Sequence, residues 1–96
     1  MRLEEKVAII TGAAEGIGRS CALQFAREGA AVVVADRNVT AGEETAKEIA
    51  AAGGQAIYVA VDVADEAAVE QLVRRTLAHF GTLDVLVSNA GIGGRS

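Results

Sequence analysis

Three glycines near the start of the chain could hold a phosphate group. Gly12, Gly16 and Gly18 follow the apolar run K-V-A-I-I-T and are spaced G-x-x-x-G-x-G. Glycine lets the backbone turn sharply and point its N–H groups at phosphate oxygens, and a helix that begins here adds free N–H groups and the positive end of its dipole. The spacing differs from the G-x-G-x-x-G fingerprint, so that pattern does not apply directly. The alternative is a tight strand-to-helix connection without a ligand.

An acidic side chain after the second apolar run could bind a sugar. Asp36 lies eighteen residues beyond Gly18, near the spacing of an acid that accepts hydrogen bonds from a ribose diol. A carboxylate there also repels a 2′-phosphate. Arg37 could pair with such a phosphate, whereas Glu15 adds negative charge near it. The alternative for Asp36 is a residue that caps the following turn.

Alternating apolar runs and amphipathic segments must position these residues. Continuous apolar runs of the kind that is buried on both faces predict strands over Val7–Thr11 and 30–35, and two further strands are predicted over 55–61 and 83–87. Helices are predicted over 16–28, from a capping box at Thr40 and Glu43 to about residue 52, and between an N-cap at Asp65 and a stop at Gly81. This β-α-β-α-β-α-β order predicts an α/β fold with a parallel sheet and right-handed crossovers.

Helical spacing also predicts which side chains pack against the sheet. The first helix is expected to bury an apolar face that contains Ile17, Cys21 and Phe25, so Cys21 is interpreted as a packing residue and not a reactive thiol. His79, late in the third helix, is interpreted as solvated, because the chain has no second His or Cys to share a metal with it. The stripe predicted for the third helix consists of Val69, Leu72, Val73, Thr76, Leu77 and Phe80.

Composition excludes several classes of function. The chain has 96 residues, 51% of them apolar, which predicts one domain over 1–96 or part of one. A net charge of −4 without a basic cluster argues against nucleic-acid or anionic-membrane partners. No apolar run is long enough for a membrane span, and no signal-peptide pattern opens the chain. Because Cys21 is the single cysteine, no internal disulfide forms, and a cytoplasmic location is expected; no metal site is predicted.

The informative residues all lie at predicted strand ends. Asp62 follows the third strand, and Asn89, Ala90 and Gly91 follow the fourth. Ligands of parallel α/β sheets bind beyond the carboxyl ends of the strands. We therefore expect these residues to converge with the glycine segment and Asp36 on one site.

Together these motifs resemble those of one enzyme family. Residues 11–18, T-G-A-A-E-G-I-G, are similar to the T-G-x-x-x-G-I-G cofactor loop of the short-chain dehydrogenase/reductase family, and S-N-A-G at 88–91 resembles its N-N-A-G motif, with Ser88 in place of the first Asn. Asp62-Val63 resembles the family's D-V pair. The resemblance covers the whole chain and implies a Rossmann-type sheet of order 3-2-1-4. The first two helices would then lie on one face and the third on the other, with the chain truncated after its fourth strand.

The resemblance also implies roles for individual residues. The loop would hold a pyrophosphate and Asp36 the adenosine ribose of a nicotinamide dinucleotide, with NAD favoured over NADP. Asp62 would bind the adenine amino group, and the Val63 amide a ring nitrogen. Asn89 would tie the fourth strand to its neighbour, while Ala90 and Gly91 would line the cofactor cleft. The cofactor-binding residues assigned in this way are Gly12, Glu15, Gly16, Ile17, Gly18, Asp36, Arg37, Asp62, Val63, Asn89, Ala90 and Gly91.

The family's catalytic residues are not present in the chain. The family uses a Ser and a Tyr-x-x-x-Lys pair downstream of N-N-A-G, but the only tyrosine here is Tyr58, and the residue four positions later is Asp62. The chain is therefore interpreted as the amino-terminal, cofactor-binding half of an oxidoreductase that transfers hydride between a nicotinamide cofactor and an alcohol or carbonyl. Its partner would be the missing carboxyl-terminal half or a second copy in a homo-oligomer. The alternative is a stand-alone nucleotide-binding or interaction module without catalysis.

Overall fold

The computed structural model describes residues 3–89, in which strands and helices alternate. The predicted α/β pattern is confirmed. The elements are β1 (Val7–Thr11), α1 (Gly16–Arg27), β2 (Ala31–Asp36), α2 (Val39–Ala51), β3 (Gln55–Ala60), α3 (Glu66–Phe80) and β4 (Val85–Ser88).

All strands pair in parallel in the order β3-β2-β1-β4, as predicted. Thr11 at the end of β1 is in register with Ala35 of β2 and Ser88 of β4. Asp36 is in register with Ala60 at the end of β3. The carboxyl ends of the strands therefore meet at one edge of the sheet, where the sequence motifs are found.

Helices cover both faces of this sheet. Side chains of α1 and α2 pack on the face formed by Ile10, Val32 and Val34. Side chains of α3 pack on the opposite face, formed by Ile9, Val33 and Val59. This arrangement confirms the predicted placement of the helices, and the half-buried Cys21 packs with the first group as interpreted.

Two apolar residues do not pack as predicted. Ile17 is 63% exposed and Leu77 is 45% exposed. Gly18 and Ala22 form the buried line of α1, and Leu72 and Thr76 form that of α3. Because successive helical residues are turned by about 100°, a residue next to the buried line points away from the sheet.

The start of α2 also differs from the predicted capping box at Thr40. The N-cap is Asn38, whose Oδ1 accepts a hydrogen bond from the Ala41 N–H at 3.1 Å. The predicted N-cap of α3 is confirmed, since Asp65 Oδ1 accepts from the Ala67 and Ala68 N–H groups at 3.0 and 3.3 Å. Gly81 ends α3 with a φ of 84°.

The fourth strand begins at Val85, two residues later than predicted. Just before it, Asp84 bonds to Val7 through its side chain as well as its backbone, which is not regular strand pairing. The Asp84 N–H donates to the Val7 carbonyl at 2.9 Å, and Asp84 Oδ2 accepts from the Val7 N–H at 2.9 Å. Both backbone groups of Val7 are thus satisfied by one residue. Asp84 aligns β1 with β4 before the regular strand pairing begins.

Within residues 3–89 the structure contains neither a membrane-spanning helix nor a metal-binding cluster. None of the helices there is long and apolar enough to cross a bilayer. In the same part of the chain, no group of three or more His, Cys, Asp or Glu side chains is arranged to hold a metal ion.

Candidate functional site

A pocket of about 310 Å³ lies at the carboxyl edge of the sheet, beyond β1, β2 and β3. Five residues predicted from the sequence line it: Gly12, Asp36, Arg37, Asp62 and Val63. Ala35 and Val61 complete its wall. The other predicted residues within 3–89 do not line this pocket: Glu15, Gly16, Ile17 and Gly18 lie at the start of α1, and Asn89 follows β4. Ala90 and Gly91 lie outside the described residues.

The glycine segment folds back tightly against α1. Gly12 and Gly16 have φ values of 66° and 65°, a left-handed conformation that glycine adopts without strain. A Cβ added at Gly18 would lie 1.9 Å from the Gly12 carbonyl oxygen. Glycine at position 18 therefore lets the first turn of α1 begin directly against the loop.

The amino-terminal end of α1 is left open to an anion. Glu15 occupies the N-cap position, but within residues 3–89 no side-chain cap is formed there and no acidic residue lies in the first turn. In contrast, α2 and α3 are capped by Asn38 and Asp65. The unpaired N–H groups and the helix dipole of α1 together favour a negatively charged ligand.

The Asp36 carboxylate connects the end of β2 to the glycine segment. Its Oδ2 accepts a hydrogen bond from the Ala14 N–H at 3.0 Å, and its Oδ1 accepts from the Asn38 N–H at 2.9 Å. The second bond shows that Asp36 does cap the following turn, the simpler of the two interpretations. A carboxylate has about four lone-pair sites, so these two bonds leave capacity for further donors.

A second contact holds the same loop residue, Ala14, through its carbonyl group. The hydroxyl of Thr45, fully buried in α2, lies 3.4 Å from the Ala14 carbonyl oxygen and 3.1 Å from that of Ala41. The N–H of Ala14 is held by Asp36, as described above. The loop conformation therefore depends on residues of both β2 and α2.

Arg37 reaches across the pocket to Asp62. The Arg37 Nη1 and Asp62 Oδ2 atoms lie 3.6 Å apart, with side chains 75% and 49% exposed. Asp62 Oδ1 also accepts from the Ala64 N–H at 3.0 Å. An ion pair this exposed contributes about 0–1 kcal/mol and is screened by salt, so Arg37 can exchange this partner for another.

Thr11 links the ends of β1 and β4. Its Oγ1 donates to the Val87 carbonyl at 3.4 Å and accepts from the Asn89 N–H at 3.0 Å. Asn89 thus contacts the neighbouring strand through its backbone. The Asn89 Nδ2 atom is buried and has no hydrogen-bond partner within residues 3–89.

Sequence reasoning missed the supporting roles of Thr45 and Tyr58. The Tyr58 hydroxyl donates to the Asp36 carbonyl oxygen at 2.6 Å. One signal was present in the sequence: Gly42 lies inside a predicted helix, where glycine costs about 1 kcal/mol. Such a glycine indicates a close neighbour, and here the neighbour is the Tyr58 ring.

Comparison with known families agrees with this geometry. The family model described as short chain dehydrogenase matches residues 6–96. The chain belongs to the short-chain dehydrogenase family. The family is thus the same one that the sequence motifs resemble.

Similar members of the short-chain dehydrogenase family are longer than this chain. An uncharacterized oxidoreductase from Thermotoga maritima is 46% identical over 92 residues, which cover 96% of this chain and 36% of that protein. Sorbitol dehydrogenase from Cereibacter sphaeroides is also 46% identical over 92 residues, covering 96% of this chain and 35% of that protein. The chain therefore spans little more than a third of these relatives.

A solved structure shares the fold closely. A 7α-hydroxysteroid dehydrogenase, complexed with NADH and 7-oxo glycochenodeoxycholic acid, superposes with a TM-score of 0.93 at 44% identity. The match covers 97% of this chain and 36% of that chain. That protein, which has the same arrangement of strands and helices over the matched part, is thus seen with NADH bound.

Proposed function

We propose that this chain binds NAD as the cofactor-binding part of an oxidoreductase that transfers hydride between the nicotinamide and an alcohol or carbonyl group. The observation that carries the proposal is the Asp36 carboxylate, which lies in the pocket and also holds the glycine loop. One site would therefore offer the Asp36 carboxylate to a ribose diol and the uncapped start of α1 to a pyrophosphate.

The residues present fit the adenosine half of such a cofactor. The uncapped start of α1 offers N–H groups to the pyrophosphate. Asp36 offers free lone pairs to the ribose, while Asp62 and Val63 also line the pocket and would meet the adenine. The nicotinamide supplies the hydride acceptor when NAD is bound.

Electrostatics favours NAD over NADP. A 2′-phosphate would face the negative charges of Asp36 and Glu15. Arg37 is the countercharge at this position, and its weak, exposed pair with Asp62 leaves it able to turn to the phosphate, but one positive charge then opposes two negative ones. Uncompensated like charge costs on the order of 1–3 kcal/mol, or about tenfold to over a hundredfold in affinity.

A second candidate is a nucleotide-binding module without hydride transfer. It is favoured by the position of Tyr58, whose hydroxyl donates to the Asp36 carbonyl and so supports the pocket instead of facing a substrate. This module would bind the same dinucleotide in the same pocket as the oxidoreductase would, but no hydride transfer would follow. We propose a cytoplasmic location for either protein, on the basis of the single cysteine.

Calorimetric titration with NAD and NADP tests cofactor binding. We expect NAD to bind at least about tenfold more tightly; equal or tighter binding of NADP would contradict the assignment of Asp36. The coding frame beyond Ser96 tests the chemistry. A downstream Ser and Tyr-x-x-x-Lys supports the oxidoreductase, and a stop codon at that point supports the binding module.

A further inference from the structure

Tyr58 makes a close contact with the residue that is proposed to bind the ribose. Tyr58 is in register with Val34, and Asp36 follows two residues later on β2. Because strand side chains alternate between faces, Tyr58, Val34 and Asp36 all project to the side covered by α1 and α2. The Tyr58 side chain extends along this face, and its hydroxyl donates to the Asp36 carbonyl oxygen at 2.6 Å.

That carbonyl oxygen accepts two hydrogen bonds. The second donor is the Val61 N–H at 3.3 Å. A carbonyl oxygen has two lone pairs, so both are used, and the peptide plane that follows Asp36 is held from β3. The Asp36 backbone is therefore oriented by the phenol as well as by the sheet.

The helix packed over Tyr58 is shaped to receive its ring. A Cβ added at Gly42 of α2 would lie 2.2 Å from Tyr58 Cε1 and 2.6 Å from Cδ1. Only glycine lets the ring lie this close to the helix. Burial raises the pKa of the Tyr58 phenol above its usual value of 10.0, and the carboxylates of Asp36 and Glu43 raise it further. The hydroxyl therefore remains protonated, and able to donate, to a higher pH than a free phenol does.

We propose that Tyr58 is a positioning residue, whose bond to the Asp36 carbonyl keeps the Asp36 carboxylate where it selects a dinucleotide that lacks a 2′-phosphate. The inference rests on the proposed function. Two bonds made by the carboxylate, to the N–H groups of Ala14 and Asn38, require this orientation. When the carbonyl loses its phenolic donor, both the turn after β2 and the glycine loop lose part of their support.

The variant Tyr58→Phe removes the hydroxyl and keeps the ring against Gly42. Its matched control is Thr76→Val in α3, which also removes one hydroxyl that donates to a backbone carbonyl, here that of Leu72 at 2.8 Å, on the opposite face of the sheet. In calorimetric titrations of the full chain, Tyr58→Phe should lower the preference for NAD over NADP by about two- to tenfold, the effect of one net hydrogen bond. Thr76→Val should leave this preference unchanged.

Amide hydrogen exchange gives a readout that needs no ligand. In Tyr58→Phe, exchange at the Ala14 and Asn38 amides should accelerate several-fold relative to the Ala67 amide, which donates to Asp65 and serves as the internal reference. If both variants lose stability while the NAD preference and the relative exchange rates stay at wild-type values, Tyr58 only packs the helix, and the proposal is overturned. If the wild-type chain binds neither NAD nor NADP, the proposed function is overturned, and with it the role of Tyr58 in selecting the dinucleotide, even if Tyr58→Phe changes the exchange rates.

Discussion

Asp36 and Ala14 are 22 residues apart in the sequence, and a 3.0 Å hydrogen bond joins the carboxylate of the first to the backbone N–H of the second. The side chain proposed to bind the ribose thus also shapes the loop proposed to hold the pyrophosphate. Because one carboxylate serves both regions, its removal affects the stability of the fold and the choice of ligand together.

Replacing Asp36 should reveal both effects. In Asp36→Ala, the Ala14 and Asn38 N–H groups lose their acceptor, which should lower the free energy of unfolding by about 1–3 kcal/mol, and the gap between NAD and NADP affinity should narrow. Urea unfolding and calorimetry measure the two effects. Asp65→Ala is the matched control, since Asp65 also accepts from two backbone N–H groups; it should destabilise the chain without changing the NAD preference. An Asp36→Ala variant that keeps the wild-type preference contradicts the ribose assignment.

Gly18→Ala should disrupt the loop. The added Cβ would collide with the Gly12 carbonyl oxygen, a backbone atom that cannot move without shifting the loop. We expect a loss of about 1–3 kcal/mol in unfolding free energy and weaker NAD binding. For comparison, Gly53→Ala places a residue at a φ of 95° with no heavy atom of residues 3–89 within 4 Å of its Cβ. That control should lose about 1 kcal/mol and keep its NAD affinity; equal NAD affinity in both variants would show that the loop tolerates a side chain.

Alkaline pH should weaken the fold through Tyr58. Its pKa is raised in the folded chain above the usual value of 10.0, so the unfolded chain releases the phenolic proton at lower pH than the folded chain does. This contribution to stability is complete below pH 10.0 and is lost as the pH rises through the folded pKa. Tyr58 is the single tyrosine, so phenolate absorbance follows it alone. In urea unfolding at pH values above 10.0, the free energy of unfolding should fall more steeply with pH for the wild type than for Tyr58→Phe. Parallel plots of this free energy against pH would contradict the prediction.

The chain of 96 residues should not turn over substrate by itself. It contains no Tyr-x-x-x-Lys pair, because the residue four positions after Tyr58 is Asp62. Incubation with NAD and a panel of alcohols should give no NADH absorbance above the blank. Sorbitol dehydrogenase from Cereibacter sphaeroides, assayed with sorbitol, is the positive control. Sustained NAD-dependent turnover by this chain would refute the prediction.

The edge of the sheet at β4 should promote self-association. Within residues 3–89, β4 pairs only with β1, and Leu86 is 57% exposed. Leu86 is in register with Ile9, on the face covered by α3, and an unpaired apolar edge recruits further strands. Sedimentation velocity at several concentrations should detect association, which Leu86→Lys should reduce. Val39→Lys, at a 50% exposed position at the start of α2, should not reduce it. A compact wild-type monomer at every concentration would contradict the prediction.

Local sequence signals were reliable where one physical effect dominated. The buried runs of β1 and β2, the cap at Asp65 and the stop at Gly81 lie where they were predicted. Prediction failed where neighbours competed. Thr40 and Glu43 form a plausible capping box, but the Asn38 side chain reaches the Ala41 N–H and begins the helix earlier. Ile17 is apolar at helical spacing, yet the close approach of Gly18 to the loop turns Ile17 outward.

The sequence by itself determined the alternation of strands and helices, the family and the set of residues at the strand ends, because hydrophobic periodicity, glycine spacing and helix caps act over a few neighbouring residues. Only the tertiary structure decided which of those residues touch. Asp36 holds Ala14, Arg37 pairs with Asp62, and Tyr58 reaches the Asp36 carbonyl from the next strand. Such contacts depend on strand register and on how closely α2 approaches the sheet at Gly42. These distances result from the packing of all the layers together, and no local pattern of residues encodes them.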